Sequence, residues 1–83
     1  MTVFVATIRV RPKPEVRDPQ GEAISGALRS LGLDVADVRT GKVIVVRFSA
    51  SGLPEAGAVA RNMGDELLAN PVIEEFDVEV ATE

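Results

Sequence analysis

Hydrophobic and polar residues alternate along the first stretch of the chain, from Thr2 to Arg11, which is typical of a β-strand. Successive side chains of a strand point to opposite faces, so the even-numbered apolar positions of this stretch share one face. The same period returns from Lys42 to Phe48 and from Val72 to Val80. A shorter run, Val35 to Arg39, is also predicted to be a strand, joined to the next by a Thr40-Gly41 hairpin turn. The pattern therefore predicts four strands.

Two segments between the strands show the 3.6-residue period of amphipathic helices. The first is predicted over Pro19–Leu31, because Asp18 is a good N-cap residue and Gly32 suits a left-handed C-terminal cap. The second is predicted to run from Pro54 to Ala69. The buried stripe of the first helix is predicted to consist of Ile24, Ala27, Leu28 and Leu31.

The element order β-α-β-β-α-β predicts an α+β, ferredoxin-like domain, a four-stranded antiparallel sheet with both helices on one face. In such a sheet the first and third strands lie in the middle. If the helices cover the face that carries Phe4 and Ile8, valines form an apolar patch on the open face, which we expect another protein surface to cover. The alternative is that valine is simply favoured in strands. This predicted oligomer interface consists of Val3, Val5, Val43 and Val45.

Length and composition limit what the chain can do alone. Its 83 residues form one domain, residues 1–83. A domain of this size buries only roughly 60–65% of its unfolded surface, so we expect subunit association to add stability. Cysteine and histidine are both absent, which excludes disulfides, thiolate or imidazole metal ligands, and catalysis by either residue. We therefore predict no catalytic, cofactor-binding or metal-binding residue.

Charge and hydropathy exclude two classes of partner. The net charge of −4 and the 4% aromatic content argue against nucleic-acid binding. No segment reaches the ~18 consecutive apolar residues of a membrane span, and the first residues lack the pattern of a signal peptide. We expect a cytoplasmic protein that binds neither nucleic acid nor membranes. The acidic residues Glu75, Asp77 and Glu79 alternate on one strand face, as in a solvated face or a partner contact.

Three short motifs are not explained by local structure alone. Asp18-Pro19-Gln20-Gly21 opens the first helix, where a glycine weakens the first turn but permits close approach by another chain. Val38-Arg39-Thr40-Gly41-Lys42 places two cations beside the predicted turn, although a plain hairpin tip would look the same. The third motif is Leu67-Leu68-Ala69-Asn70-Pro71-Val72-Ile73-Glu74.

In this order and spacing, the three motifs resemble the PurS family, the small subunits of phosphoribosylformylglycinamidine (FGAM) synthase. The resemblance covers the chain from Val3 to Val80, and one departure is Phe76, where tyrosine is expected. It implies a non-catalytic bridging subunit in de novo purine biosynthesis. Fold alone would also suit a stand-alone regulatory module that binds a small molecule.

The resemblance also implies the partners. The complex converts formylglycinamide ribonucleotide, glutamine and ATP to FGAM, glutamate, ADP and phosphate. A glutaminase subunit releases ammonia, and a large synthase subunit binds ATP and magnesium. The small subunit binds no cofactor, docks the glutaminase on the synthase, assists ammonia transfer and forms a homodimer or higher homo-oligomer. The residues expected to contact the partners are Asp18, Gln20, Gly21, Arg39, Lys42, Asn70 and Glu74.

Overall fold

The computed structural model describes residues 1–83 as two helices and one antiparallel sheet. The elements are β1 Thr2–Pro12, α1 Pro19–Ser30, β2 Lys42–Ala50, α2 Leu53–Met63, a π-helical segment Gly64–Leu68, and β3 Glu74–Thr82. The three strands lie in the order β2-β1-β3. None of the helices has the length and apolarity needed to cross a membrane. The predicted α+β class is confirmed, but the sheet has three strands and not four.

The core lies between the even-numbered face of β1 and helix α2. Phe4, Ala6, Ile8 and Val10 are all buried. Ile8 lies opposite Ile44 of β2 and Val78 of β3, so the three strands present one continuous apolar face. The small side chains of Ala56 and Ala60 let α2 pack closely on this face. Burying a side chain such as Ile8 stabilises the fold by about 1.5–3 kcal/mol.

The predicted strand Val35–Arg39 and its hairpin turn do not form. Side-chain hydrogen bonds hold this segment against the β1–α1 connection instead of against β2. Arg39 donates to the carbonyl oxygens of Lys13 and Val16, each at 2.9 Å. The backbone N–H of Thr40 donates to the carboxylate of Asp18, which belongs to the same connection. Because the fourth strand is missing, β2 is an edge strand and not a central one, which corrects the predicted sheet order.

Helix α1 also departs from the prediction. Its ends agree well: Asp18 caps the start, and Gly32 adopts a left-handed φ of 84° just past the end. However, α1 contributes no residue to either hydrophobic cluster of the core, so the two helices do not share one face of the sheet. Gly21 and Ser25 are its buried residues. The predicted buried stripe is wrong for a single chain, since Ile24, Ala27 and Leu31 are exposed and Leu28 is only half-buried.

The molecule is consequently elongated, with extents of 52 × 26 × 14 Å. Helix α1 and the segment after it project beyond the end of the sheet at which β1 stops and β2 begins. Only α2 and the π-helical segment cover the sheet. This geometry brings the β1–α1 connection, residues 38–42 and the start of β3 to one end of the molecule.

Candidate partner-docking site

Residues from four separate segments meet at the end of the sheet where β1 stops. The strand register pairs Val10 with Lys42 and Pro12 with Glu74, which places the first residues of β2 and β3 on either side of the end of β1. A surface cavity of about 250 Å³ lies there, lined in part by Gln20, Lys42 and Glu74. We call the group of predicted contact residues at this end the sheet-end cluster: Asp18, Gln20, Gly21, Arg39, Lys42, Asn70 and Glu74.

Asp18 organises the centre of this cluster. Its carboxylate accepts hydrogen bonds from the backbone N–H of Gly21 at 3.0 Å, the backbone N–H of Thr40 at 2.6 Å, and the Thr40 hydroxyl at 2.9 Å. Only 6% of the residue is exposed. The backbone N–H groups of Thr40 and then Gly21 lower the pKa of Asp18, because they stabilise its charged form. Asp18 therefore joins the start of α1 to the segment that precedes β2.

Gly21 is explained by a close approach within the chain. A Cβ atom at this position would overlap the carbonyl oxygen of Val38 and lie 2.7 Å from Oδ2 of Asp18. The backbone of the 38–42 segment thus occupies the space that a side chain would need. A glycine in the first turn, which weakens the isolated helix, is required by this packing. Contact of Gly21 with a partner remains a prediction.

The two cationic side chains of the cluster, Arg39 and Lys42, differ in their hydrogen bonding within the chain. The guanidinium of Arg39 is engaged with the carbonyl oxygens of Lys13 and Val16 and so helps to hold the segment in place. The side chain of Lys42, at the cavity, forms no hydrogen bond or ion pair within the chain. The side chain of Gln20 is likewise exposed and forms no hydrogen bond. Lys42 and Gln20 are therefore the members with polar groups free for another molecule.

Asn70 and Glu74 form the turn that leads into β3. The backbone N–H of Asn70 donates to Oε1 of Glu74 at 2.7 Å, and the Asn70 side-chain oxygen accepts from the backbone N–H of Val72 at 3.0 Å. Glu74 also lines the cavity beside Lys42. The structure therefore brings all seven predicted residues together, although no finding tests their contact with partners.

The four valines of the predicted oligomer interface share the sheet face opposite α2, but they do not lie directly across from one another. Val43 is paired with Arg9, Val45 with Thr7, and Val5 with Arg47. Val43 and Val45 are 61% and 62% exposed, and Val3 is also exposed. The valines therefore form a stepped apolar strip between charged neighbours. Its use as an oligomer interface stays a prediction.

Beside this strip lies a ladder of ion pairs that the sequence analysis missed. Arg9 contacts Asp77 at 3.1 Å and Arg11 contacts Asp77 at 2.7 Å. Hydrogen bonds from Arg11 and Arg9 lower the pKa of Asp77. The alternation of charges in the sequence could have indicated these ion pairs, because the arginines at odd positions of β1 lie across from the acidic residues at odd positions of β3 when the two strands pair. No group of His, Cys, Asp and Glu side chains is arranged to hold a metal ion.

Comparison with known proteins gives matches over nearly the whole chain. A family model described as PurS, phosphoribosylformylglycinamidine (FGAM) synthase, matches residues 5–82. The chain is similar to the phosphoribosylformylglycinamidine synthase subunit PurS of Thermotoga maritima, with 39% identity over 79 residues, 94% of this chain and 96% of that one. The corresponding subunit of Archaeoglobus fulgidus is 39% identical over 76 residues, 90% and 95% of the two chains.

Solved structures agree with the sequence comparisons. A chain in the structure of PurLQS from Thermotoga maritima superimposes with a TM-score of 0.89 and 38% identity, over 98% of this chain and 100% of that one. The structure of Thermus thermophilus PurS gives a TM-score of 0.82 and 41% identity, over 93% and 95%. Both the elongated fold and the sequence are therefore shared with these proteins.

Proposed function

Because the chain belongs to the PurS family of phosphoribosylformylglycinamidine synthase subunits, we propose that it is the small bridging subunit of such a complex in purine biosynthesis. The observation that carries this proposal is the match over almost the full chain to a component of the PurLQS structure. In this role the chain has no active site of its own. It holds a glutaminase subunit against a larger synthase subunit in the cytoplasm.

The catalytic steps are assigned to the two larger subunits because this chain lacks the side chains that they need. Release of ammonia from glutamine by a cysteine nucleophile needs a thiol, and this chain contains neither cysteine nor histidine. Binding of ATP and magnesium falls to the large subunit. The bridging subunit contributes by holding the two active sites in a fixed position relative to each other. Ammonia can then pass between them away from bulk water, where it stays neutral and nucleophilic.

We propose that the sheet-end cluster is the docking surface for the catalytic subunits. Lys42 and Gln20 support this assignment because both lie at the cavity with their polar groups unbonded. Asp18 and Arg39 support it in another way, since their hydrogen bonds hold the surrounding backbone in one conformation. A preorganised surface loses less conformational entropy on binding than a mobile one.

The test is to reverse charge at the cluster in a complex reconstituted from the three subunits. The double variant Arg39→Glu, Lys42→Glu should reduce glutamine-dependent FGAM synthesis by at least about tenfold, because like charges juxtaposed at an interface are strongly unfavourable. Lys42→Glu alone is the cleaner change, since Arg39 also has an internal role. Synthesis from free ammonia should fall less, because ammonia from solution bypasses the delivery route.

The matched control is Arg61→Glu, which reverses one charge at an exposed position of α2 that forms no ion pair. It should leave glutamine-dependent synthesis within about twofold of the wild type. Equal activity of Lys42→Glu and Arg61→Glu would exclude the sheet-end cluster as the docking surface. Loss of both glutamine-dependent and ammonia-dependent synthesis to the same extent would instead mean that the chain does not serve ammonia delivery.

A further inference from the structure

A second polar cavity lies between α1 and the segment that precedes β2. Its volume is about 200 Å³, which is smaller than the roughly 300–1,000 Å³ of pockets for drug-sized ligands and suits a small metabolite. Its lining residues are Gly21, Glu22, Ser25, Arg29, Ala36, Asp37 and Val38. Apart from Gly21, none of them belongs to the sheet-end cluster, so the proposed docking does not account for this cavity.

Ser25 is the buried polar residue of the cavity. Only 7% of it is exposed, and its hydroxyl forms no hydrogen bond within the chain. By contrast, the hydroxyl of Ser30 on the same helix donates to the carbonyl oxygen of Gly26 at 3.0 Å. No polar side-chain atom of the molecule is both fully enclosed and without a partner, so the Ser25 hydroxyl opens into the cavity. A hydroxyl in such a place is stabilised when another molecule bonds to it.

Two side chains of opposite charge at the cavity also have free bonding capacity. Arg29 uses one N–H group of its guanidinium, towards the carbonyl oxygen of Val35 at 3.2 Å, and its other donors are unbonded. The carboxylate of Asp37 forms no hydrogen bond and no ion pair. Glu22 differs, because both of its oxygens accept from Nε of Arg17. The cavity therefore presents one free cation and one free anion.

The backbone supplies further donors. None of the N–H groups of Ala36, Asp37 and Val38 donates a hydrogen bond within the chain. These three residues belong to no helix or strand. A ligand carboxylate that meets a guanidinium and backbone N–H groups together is held by charge-assisted hydrogen bonds, which are stronger than bonds between neutral groups.

We propose that this cavity binds a free α-amino acid with an uncharged side chain. The α-carboxylate of the ligand bonds to Arg29 and to backbone N–H groups of the 36–38 segment, and the Ser25 hydroxyl donates to the same carboxylate. The α-ammonium group pairs with Asp37. A second carboxylate on the ligand would be repelled by Asp37, and a second ammonium group by Arg29, so the cavity selects a ligand without net charge.

Glutamine is a suitable probe because its side chain is an uncharged amide. Its choice among such amino acids rests on the proposed function, in which glutamine is a substrate of the complex. The site itself concerns the isolated chain and is an addition to the bridging role. It can fail while the docking surface stands, since Lys42→Glu tests docking and lies outside this cavity.

The test follows the backbone amide NMR signals of the purified chain during titration with L-glutamine. Signals of residues 36–38 should shift and saturate with a Kd on the order of 1 mM, as expected for a small ligand in an open site. L-Glutamate and N-acetyl-L-glutamine should each bind at least about tenfold more weakly, because the first adds a carboxylate and the second lacks the ammonium group. If no signal saturates at concentrations well above this Kd, the cavity holds water only and the proposal is wrong.

Two variants test the assigned contacts. Ser25→Ala and Asp37→Asn should each weaken glutamine binding by about tenfold, because each removes a hydrogen bond to a charged group of the ligand. The matched controls are Ser30→Ala on the same helix and Asp34→Asn in the same segment, which lie outside the cavity and should bind glutamine as the wild type does. Asp37 is exposed, so Asp37→Asn should keep the circular dichroism of the wild type.

The acetylated ligand gives a sharper result. Asp37→Asn should leave the binding of N-acetyl-L-glutamine unchanged, because that ligand has no ammonium group to pair with the carboxylate. Equal glutamine affinity of Asp37→Asn and Asp34→Asn would place the ligand elsewhere on the chain and overturn the assignment. Equal affinity of the wild type for glutamine and glutamate would also overturn it, since the charges of the cavity would then not select the ligand.

Discussion

Replacing Gly21 with alanine should destabilise the protein, whereas the same replacement at Gly26 on the same helix should stabilise it. The two glycines differ only in their surroundings. At Gly21 a new Cβ would overlap the carbonyl oxygen of Val38 and crowd the Asp18 carboxylate. At Gly26 it would meet nothing within 4 Å. The pair separates the intrinsic helix preference of alanine from the effect of tertiary packing.

The magnitudes follow from these two environments. Alanine is favoured over glycine inside a helix by about 0.5–1 kcal/mol, and Gly26→Ala should gain that amount. At Gly21 overpacking typically costs about 1–3 kcal/mol, which outweighs the gain. The net loss at Gly21 should be about 1 kcal/mol, or roughly 4–8 °C in Tm for a domain of this size. Movement of the Val38 carbonyl would also disturb the hydrogen bond between Thr40 and Asp18.

Thermal unfolding of the wild type and both variants provides the assay. All three proteins must be compared at one protomer concentration, because association couples Tm to concentration. Gly26→Ala should melt above the wild type and Gly21→Ala below it. If both variants melt above the wild type by the same amount, the tight contact between α1 and the 38–42 segment does not exist in solution.

Two further predictions concern the hydrogen bonds and packing of single residues. The pKa of Asp18 is lowered in the folded protein, so its contribution to stability is present above about pH 4 and is lost as pH falls through the lowered value. Asp18→Asn should therefore unfold at a lower urea concentration than the wild type at pH 7, and the difference between the two urea midpoints should shrink towards pH 2. A difference that stays constant with pH would contradict stabilisation by the charged Asp18 carboxylate. At Gly64 a Cβ would overlap the Phe76 ring, so Gly64→Ala should destabilise the fold by about 1–3 kcal/mol. A Cβ at Gly57 on α2 would meet nothing within 4 Å, so Gly57→Ala should not destabilise the fold. Equal urea midpoints for Gly64→Ala and Gly57→Ala would exclude the contact between Gly64 and Phe76.

Properties that depend on neighbouring residues could be predicted from the sequence. The alternation from Thr2 to Arg11 identified β1 and its buried face, since strand geometry alone puts every second side chain on one side. Asp18 and Gly32 marked the two ends of α1 because capping involves residues within one turn. The three motifs also identified the family, which the comparisons confirm.

The position of α1 and the absence of a fourth strand were decided only by tertiary structure. Periodicity showed that Ile24, Ala27, Leu28 and Leu31 form an apolar face, but it cannot tell which surface covers that face. The prediction placed it on the chain's own sheet, where a ferredoxin-like domain would have it. What decides otherwise is a set of contacts between distant residues, Asp18 with Thr40 and Arg39 with Lys13 and Val16. Because these hydrogen bonds join residues more than 20 positions apart, no local pattern encodes them, and they hold the start of α1 and residues 38–40 together beyond the end of β1.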